Sequence, residues 1–110
     1  MLSIQSAFPE NTAVPGNDIL DALLQKVGNG DSSALGNLYH FVAPSVYAFA
    51  LSVLKDAHDA EDILHDSFLR IYSSAKGYTS HGKPMAWILT ITKNLCLQKI
   101  RDQKNMPTMR

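Results

Sequence analysis

Apolar residues recur at three- and four-residue spacing in successive blocks along the chain, and nowhere alternate as a strand would require. In the first block Ile19, Leu20, Leu23, Leu24 and Val27 share one helical face; Asn17 or Asp18 can cap its start, and Gly28-Asn29-Gly30 ends it. Asp31 or Ser32 caps a second helix with the stripe Leu35, Leu38, Tyr39 and Val42. Pro44 lacks an amide donor and disfavours helical geometry at Ala43, so a kink or break is expected there, with a third helix over residues 45–54. That segment is apolar almost all round (Val46, Tyr47, Phe49, Ala50, Leu51, Val53, Leu54), the pattern of a helix at the centre of a bundle. Residues 55–58 form a connection. A fourth helix is predicted from Asp59 to about Ala75, a loop over residues 77–82, and a fifth helix from Met85 to about Arg101 with Pro84 in its first turn. The expected class is all-α, a compact bundle of four to five helices with short loops. Residues 1–17 show no periodicity and read as a flexible arm, residues 18–101 as the domain, and residues 102–110 as a tail or the start of an interdomain linker.

Composition narrows the classes. A chain of 110 residues suits one domain. An apolar share of 45% with zero net charge excludes a wholly disordered chain. The longest nearly apolar run, Val46–Leu54, falls far short of the ~20 residues that span a bilayer. Residues 1–10 have neither a basic nor an apolar region of the signal-peptide kind. Cys96 is the one cysteine, so no internal disulfide can form and a reducing, cytoplasmic location is expected.

Ten basic and ten acidic residues cancel, which excludes a nucleic-acid binder working by bulk positive charge. The cancellation hides a division: residues 1–66 hold nine acids and two bases, residues 67–110 eight bases and one acid. On a helical wheel of the fourth helix, Leu64, Phe68, Ile71, Tyr72 and Ala75 face the core, while Asp59, Asp62 and Asp66 lie opposite with Leu69 on their rim. Carboxylates in a first turn suit the helix dipole, which accounts for Asp59, Glu61 and Asp62 but not for Asp66 or Leu69. An acidic stripe rimmed by an exposed leucine is a docking face for a basic partner, although a solvated charged face is the commoner use of such a pattern. On the fifth helix Thr90, Lys93, Asn94, Arg101 and Lys104 share one arc opposite Ile88, Ile91 and Leu95, a combination of cations and donors that suits a phosphate backbone. Between the two helices, Tyr78, Thr79, Ser80 and His81 sit between Gly77 and Gly82, flanked by Lys76 and Lys83. An exposed aromatic there would offer a stacking platform for an unpaired base; the alternative is that Tyr78 and Trp87 are hydrophobic anchors closing the core, which is the favoured reading for Trp87.

No enzyme constellation appears: there is no phosphate-binding glycine loop, no dinucleotide fingerprint and no paired cysteines. His58, Asp62, His65 and Asp66 have helical spacing and can be drawn as a metal site, but they match no strong ligand motif and His58 is expected in the loop. Cys96 lies on the apolar side of its helix and reads as a small core residue. No cofactor and no metal are expected.

The order of elements resembles region 2 of bacterial sigma factors of the extracytoplasmic-function (ECF) group, over residues 24–101, about seventy percent of the chain. The resemblance rests on Gly30-Asp31-Ser32-Ser33-Ala34-Leu35, on Pro44-Ser45-Val46-Tyr47-Ala48-Phe49-Ala50, and above all on two longer stretches. These are Asp59-Ala60-Glu61-Asp62-Ile63-Leu64-His65-Asp66-Ser67-Phe68-Leu69-Arg70-Ile71-Tyr72 and Lys83-Pro84-Met85-Ala86-Trp87-Ile88-Leu89-Thr90-Ile91-Thr92-Lys93-Asn94-Leu95. It implies a transcription initiation module, not an enzyme. Asp59, Asp62, His65, Asp66 and Leu69 would dock on the clamp helices of the largest catalytic subunit of core RNA polymerase. Lys93, Asn94 and Arg101, with Lys83 and Thr90 beside them, would hold the non-template strand of the promoter minus-ten element, and the loop Tyr78, Thr79, Ser80, His81 would take a flipped base. An anti-sigma factor is a further partner it implies, and a purely protein-binding all-α module is the competing expectation.

Two positions depart from the family pattern: His65 stands where glutamine is usual and Gln98 where aspartate is common. Family members also carry a second, helix-turn-helix domain for the minus-thirty-five element. A protein limited to these residues, whether a domain of a longer chain or a shortened relative, is therefore expected to initiate poorly alone.

Overall fold

The structure, a computed structural model, describes residues 14–105. Most of the expected arm and the last five residues of the expected tail lie outside the described residues. Four α-helices follow one another: α1 (Asn17–Gly28), α2 (Ser32–Leu54), α3 (Ala57–Ser74) and α4 (Pro84–Asn105), with a 3-10 turn at Ala75–Gly77 after α3.

Helix boundaries follow local chemistry. The carbonyl of Gly16 accepts from the amides of Ile19 and Leu20, so Gly16 rather than Asn17 or Asp18 is the N-cap of α1. At its other end Gly30 N–H donates to Val27 and Asp31 N–H to Lys26, a paired closure that needs a left-handed residue, supplied by Gly30 at φ 91°. Asp31 then caps α2, accepting from the amides of Ser33 (3.0 Å) and Ala34 (3.1 Å). Lys55, at φ 60°, turns the chain after α2, and Asp56 caps α3 by accepting from Asp59 N–H at 2.9 Å. His58 is therefore a residue of α3, not of the preceding loop.

The expected break at Pro44 does not occur: α2 is one helix of 23 residues. Proline removes one amide donor, a local loss. Its effect is outweighed because Ala34, Leu38, Val42, Val46 and Ala50 are all buried at a constant four-residue spacing that passes through the proline. The continuous helix carries no Asp, Glu, Lys or Arg, so by length and composition alone it could cross a bilayer. In the fold it is instead the central helix, packed against α1, α3 and α4. Its apolar surface is not fully enclosed: Tyr39 and Leu51 are exposed.

The main core joins Leu20, Leu24 and Val27 of α1, Leu38, Val42 and Val46 of α2, Phe68 and Ile71 of α3 and Ile88 of α4, closed by Ala75 and Tyr78. A smaller cluster of Ala50, Ala60, Ile63 and Cys96 fills the other end. Burial pushes the Cys96 thiol pKa up, in keeping with a packing role. α3 and α4 run antiparallel: Ser67 meets Thr92 midway (3.1 Å), and Asp59, near the start of α3, meets Lys99 and Gln103 near the end of α4. Tyr72, expected in the core, is 52% exposed, because Ile71 and Ala75 already fill the space beside α1. α4 continues through Asn105, beyond the Arg101 end that periodicity gives.

Candidate functional site

The outer face of α3 carries Asp59, Asp62, His65, Asp66 and Leu69, the residues singled out for docking. Asp62, His65 and Asp66 are exposed, and Leu69 is the most exposed large apolar side chain described, at 58%. An apolar residue so exposed amid carboxylates has no packing role within the domain. Asp59 is half-buried and differs from its neighbours. It receives Lys99 Nζ at 3.7 Å and Gln103 Nε2 at 3.4 Å, and Lys99 also reaches Asp62 at 3.8 Å. The charge division along the sequence is thus partly closed in space: one cation of the basic half, Lys99 of α4, sits between Asp59 and Asp62 of the acidic stripe. Asp66 takes no such partner among the described residues. It lies with Leu69 and Arg70 on one wall of an open groove of about 440 Å³ between α3 and α4, whose opposite wall is Leu95, Gln98, Lys99 and Asp102.

The turn and loop after α3 do not present an exposed aromatic. Tyr78 is 7% exposed, its ring packed edge-on against Trp87 (centroids 4.9 Å) and His81 (5.4 Å), and its hydroxyl donates to Asp21 Oδ1. Tyr78 is therefore not a stacking platform; it is an anchor that ties the loop to α1. Ser80 Oγ donates to the other carboxylate oxygen of Asp21 at 2.8 Å, and Asn17 Nδ2 donates to the carbonyl of Gly82 at 2.8 Å. The Tyr78 hydroxyl, followed by Ser80, holds the Asp21 carboxyl below the usual carboxylate range. Burial, reinforced by Asp21, raises the Tyr78 phenol well above its ordinary pKa. Thr79 and His81 remain on the exposed side of the loop, and His81 Nδ1 accepts from Lys83 N–H at 3.2 Å.

On α4 the residues Thr90, Lys93, Asn94 and Arg101 are all exposed, as the wheel predicts, and Lys83 is exposed just before the helix. Thr90 is less available than its neighbours, since its hydroxyl donates to the carbonyl of Ala86 at 2.7 Å. Lys93 and Arg101 form no ion pair among the described residues. Leu97, 45% exposed, lies in the same arc. The domain thus presents an acidic face with one prominent leucine on α3 and a basic, donor-bearing face on α4, with an anchored loop joining them.

The sequence that builds these faces is similar to known proteins. The Sigma-70 region 2 family matches residues 38–106, which takes in most of α2 and all of α3, the loop and α4. The chain belongs to the sigma-70 region 2 family. It is 30% identical over 95 residues to the ECF RNA polymerase sigma factor SigK of Mycobacterium ulcerans (strain Agy99), covering 84% of this chain and 51% of that protein. It is 32% identical over 75 residues to the ECF RNA polymerase sigma factor SigM of Bacillus subtilis (strain 168), covering 68% and 45%. SigW of the same organism is 27% identical over 81 residues, covering 74% and 43%. The chain spans about half the length of these curated relatives. No solved structure matches it.

Within this region 2 domain, sequence reasoning missed four residues that shape the two faces. Asp21 and Asn17 act on the loop from more than fifty positions away, and no local pattern marks them. Ser67 and Thr92 are fully buried polar residues joining α3 to α4; their place in otherwise apolar wheel positions was the available signal. Among the described residues no three His, Cys, Asp or Glu side chains gather as a metal ion requires.

Proposed function

We propose that this region 2 domain is the part of an ECF sigma factor that binds core RNA polymerase through α3 and then captures the non-template strand of the promoter minus-ten element through α4 and the preceding loop. The observation that carries the reading is the pairing, on adjacent antiparallel helices of a region 2 domain, of an acidic face rimmed by the exposed Leu69 with a face bearing Lys93, Asn94 and Arg101. The acidic face suits a basic protein surface, here the clamp helices of the largest catalytic subunit. The basic face suits a phosphate backbone, with charge holding the strand and Asn94 fixing register. Zero net charge explains the order: the free domain has no excess positive field to draw it to DNA, and occupying the acidic face first removes the repulsive half. The setting is the cytoplasm, where polymerase and promoter meet, and no enzymatic step is involved. An anti-sigma factor competing for the α3 face is compatible with the same chemistry.

Reversing Asp62 and Asp66 to lysine should abolish co-purification with core polymerase; unchanged binding would refute the docking face. Replacing Lys93 and Arg101 by alanine should weaken capture of a single-stranded promoter fork by the polymerase complex at every sequence. It should also reduce the salt slope by about 0.7 for each phosphate that is no longer neutralised. If those changes leave fork binding and its slope untouched while the α3 changes abolish docking, the domain is a protein-interaction module only.

A further inference from the structure

α1 lies outside the residues matched by the region 2 family, yet it makes the side-chain hydrogen bonds that tether the loop between α3 and α4 to the bundle. Asn17 and Asp21 are four residues apart and so share one face of α1. Asn17 grips the end of the loop at the Gly82 carbonyl (2.8 Å). Asp21 grips its beginning with both carboxylate oxygens, Oδ1 accepting from Tyr78 and Oδ2 from Ser80. Gly82, at φ 80°, supplies the left-handed residue at that point of the loop, a conformation side chains other than glycine rarely adopt. Between these tethers the exposed side chains not tied to α1 are Thr79 and His81. A six-residue connection of this kind would ordinarily sample many conformations, and each would have to be ordered at the moment a nucleotide is bound.

We infer that Asp21 is a positioning residue for strand recognition: from α1 it holds Tyr78 and Ser80 so that Thr79 and His81 are presented in one fixed arrangement before DNA arrives. The role rests on the function proposed above for the loop, but the preorganisation itself can be read without DNA. A buried carboxylate that accepts from two loop hydroxyls has no packing function that an apolar residue would not serve as well. A shared acceptor also couples the two donors, so losing either should loosen the loop.

The test uses the full chain free and in complex with core polymerase, with Asp21→Asn, Tyr78→Phe, Ser80→Ala and Asn17→Ala. Ser80 and Asn17 are exposed, so their variants keep the test open if Asp21→Asn fails to fold. In the free chain, hydrogen exchange at the hydrogen-bonded loop amides, Tyr78 (to the Ala75 carbonyl) and Lys83 (to His81 Nδ1), should accelerate about tenfold in Asp21→Asn, with the amides of α2 and α3 unchanged. In the complex, the ratio of affinities for a minus-ten strand and for strands with single-base changes should fall several-fold, with the salt slope unchanged. Loop exchange equal to that of the unaltered chain overturns the inference, as does acceleration shared equally by α2 and α3, which would make Asp21 merely structural. If the unaltered complex captures no strand at all, the proposed function fails, and loop exchange still decides whether α1 preorganises the loop.

Discussion

Ser67 and Thr92 offer a sharp test of how the docking helix and the basic helix are joined. Both are fully buried, and their hydroxyl oxygens lie 3.1 Å apart. Thr92 Oγ1 also lies 3.3 Å from the carbonyl of Ile88, one turn back on α4. Each hydroxyl has one hydrogen. If Thr92 donates to Ile88, the Ser67 hydrogen must be the one between the helices, with Thr92 as its acceptor. The two truncations are then unequal. Thr92→Val strands the Ser67 donor in the core and should cost about 2 kcal/mol, the penalty of an unsatisfied buried hydroxyl. Ser67→Ala leaves Thr92 still bonded to Ile88 and should cost about 1 kcal/mol or less. The double variant removes the orphan and should be more stable than Thr92→Val alone, which requires a coupling larger than the Ser67→Ala cost, about 1–2 kcal/mol. For a domain of this size the Thr92→Val loss corresponds to a fall in Tm of roughly 10 °C. Urea unfolding followed by circular dichroism, at constant m-value, measures all three. Equal single costs that simply add in the double variant would refute the reasoning, because they would mean the hydroxyls do not act as a donor–acceptor pair.

Two further outcomes follow from the packing and the carboxylates. Gly28→Ala would place a methyl 2.6 Å from the carbonyl oxygen of Ala75, and backbone cannot swing aside. The substitution should destabilise by about 1–3 kcal/mol despite alanine's better helix propensity, and a raised urea midpoint would contradict this reading. Asp21 and Asp31 both titrate below their ordinary values, Asp21 chiefly through Tyr78 and Asp31 chiefly through the Ser33 hydroxyl. A carboxyl lowered on folding contributes stability that is present above its unfolded pKa near 4 and lost as pH falls through the folded value. Tm should therefore decline on acidification below about pH 4, and less steeply in Asp21→Asn and Asp31→Asn; parallel curves would contradict the assignment.

Much of the architecture is local in origin. Helical spacing, the Asp31 cap and the Gly28-Asn29-Gly30 stop define α1 and the start of α2 within a few residues, because capping hydrogen bonds reach only three or four positions along the chain. The wheel of α3 places Asp62, Asp66 and Leu69 on the solvent side, since which side chains share a face depends on the 3.6-residue turn alone. Pro44 misleads for a related reason. The local cost of proline is plain in the sequence, whereas the stripe Leu38, Val42, Val46, Ala50 that carries the helix past it gains its weight only when α1, α3 and α4 cover it. The character of the loop is a matter of long-range packing. The sequence leaves Tyr78 open as an exposed aromatic or a core anchor, and only Asp21, 57 positions earlier, brought to its hydroxyl, decides for the anchor; Lys99 looks like one more cation of the basic half until antiparallel packing sets it between Asp59 and Asp62. Residue order thus dictates most of the helices and most of the residues each turns outward. Which of those groups are already engaged by one another, and which are left to meet a partner, emerges only on folding, because hydrogen bonds and ion pairs between distant positions leave no periodic trace in the chain.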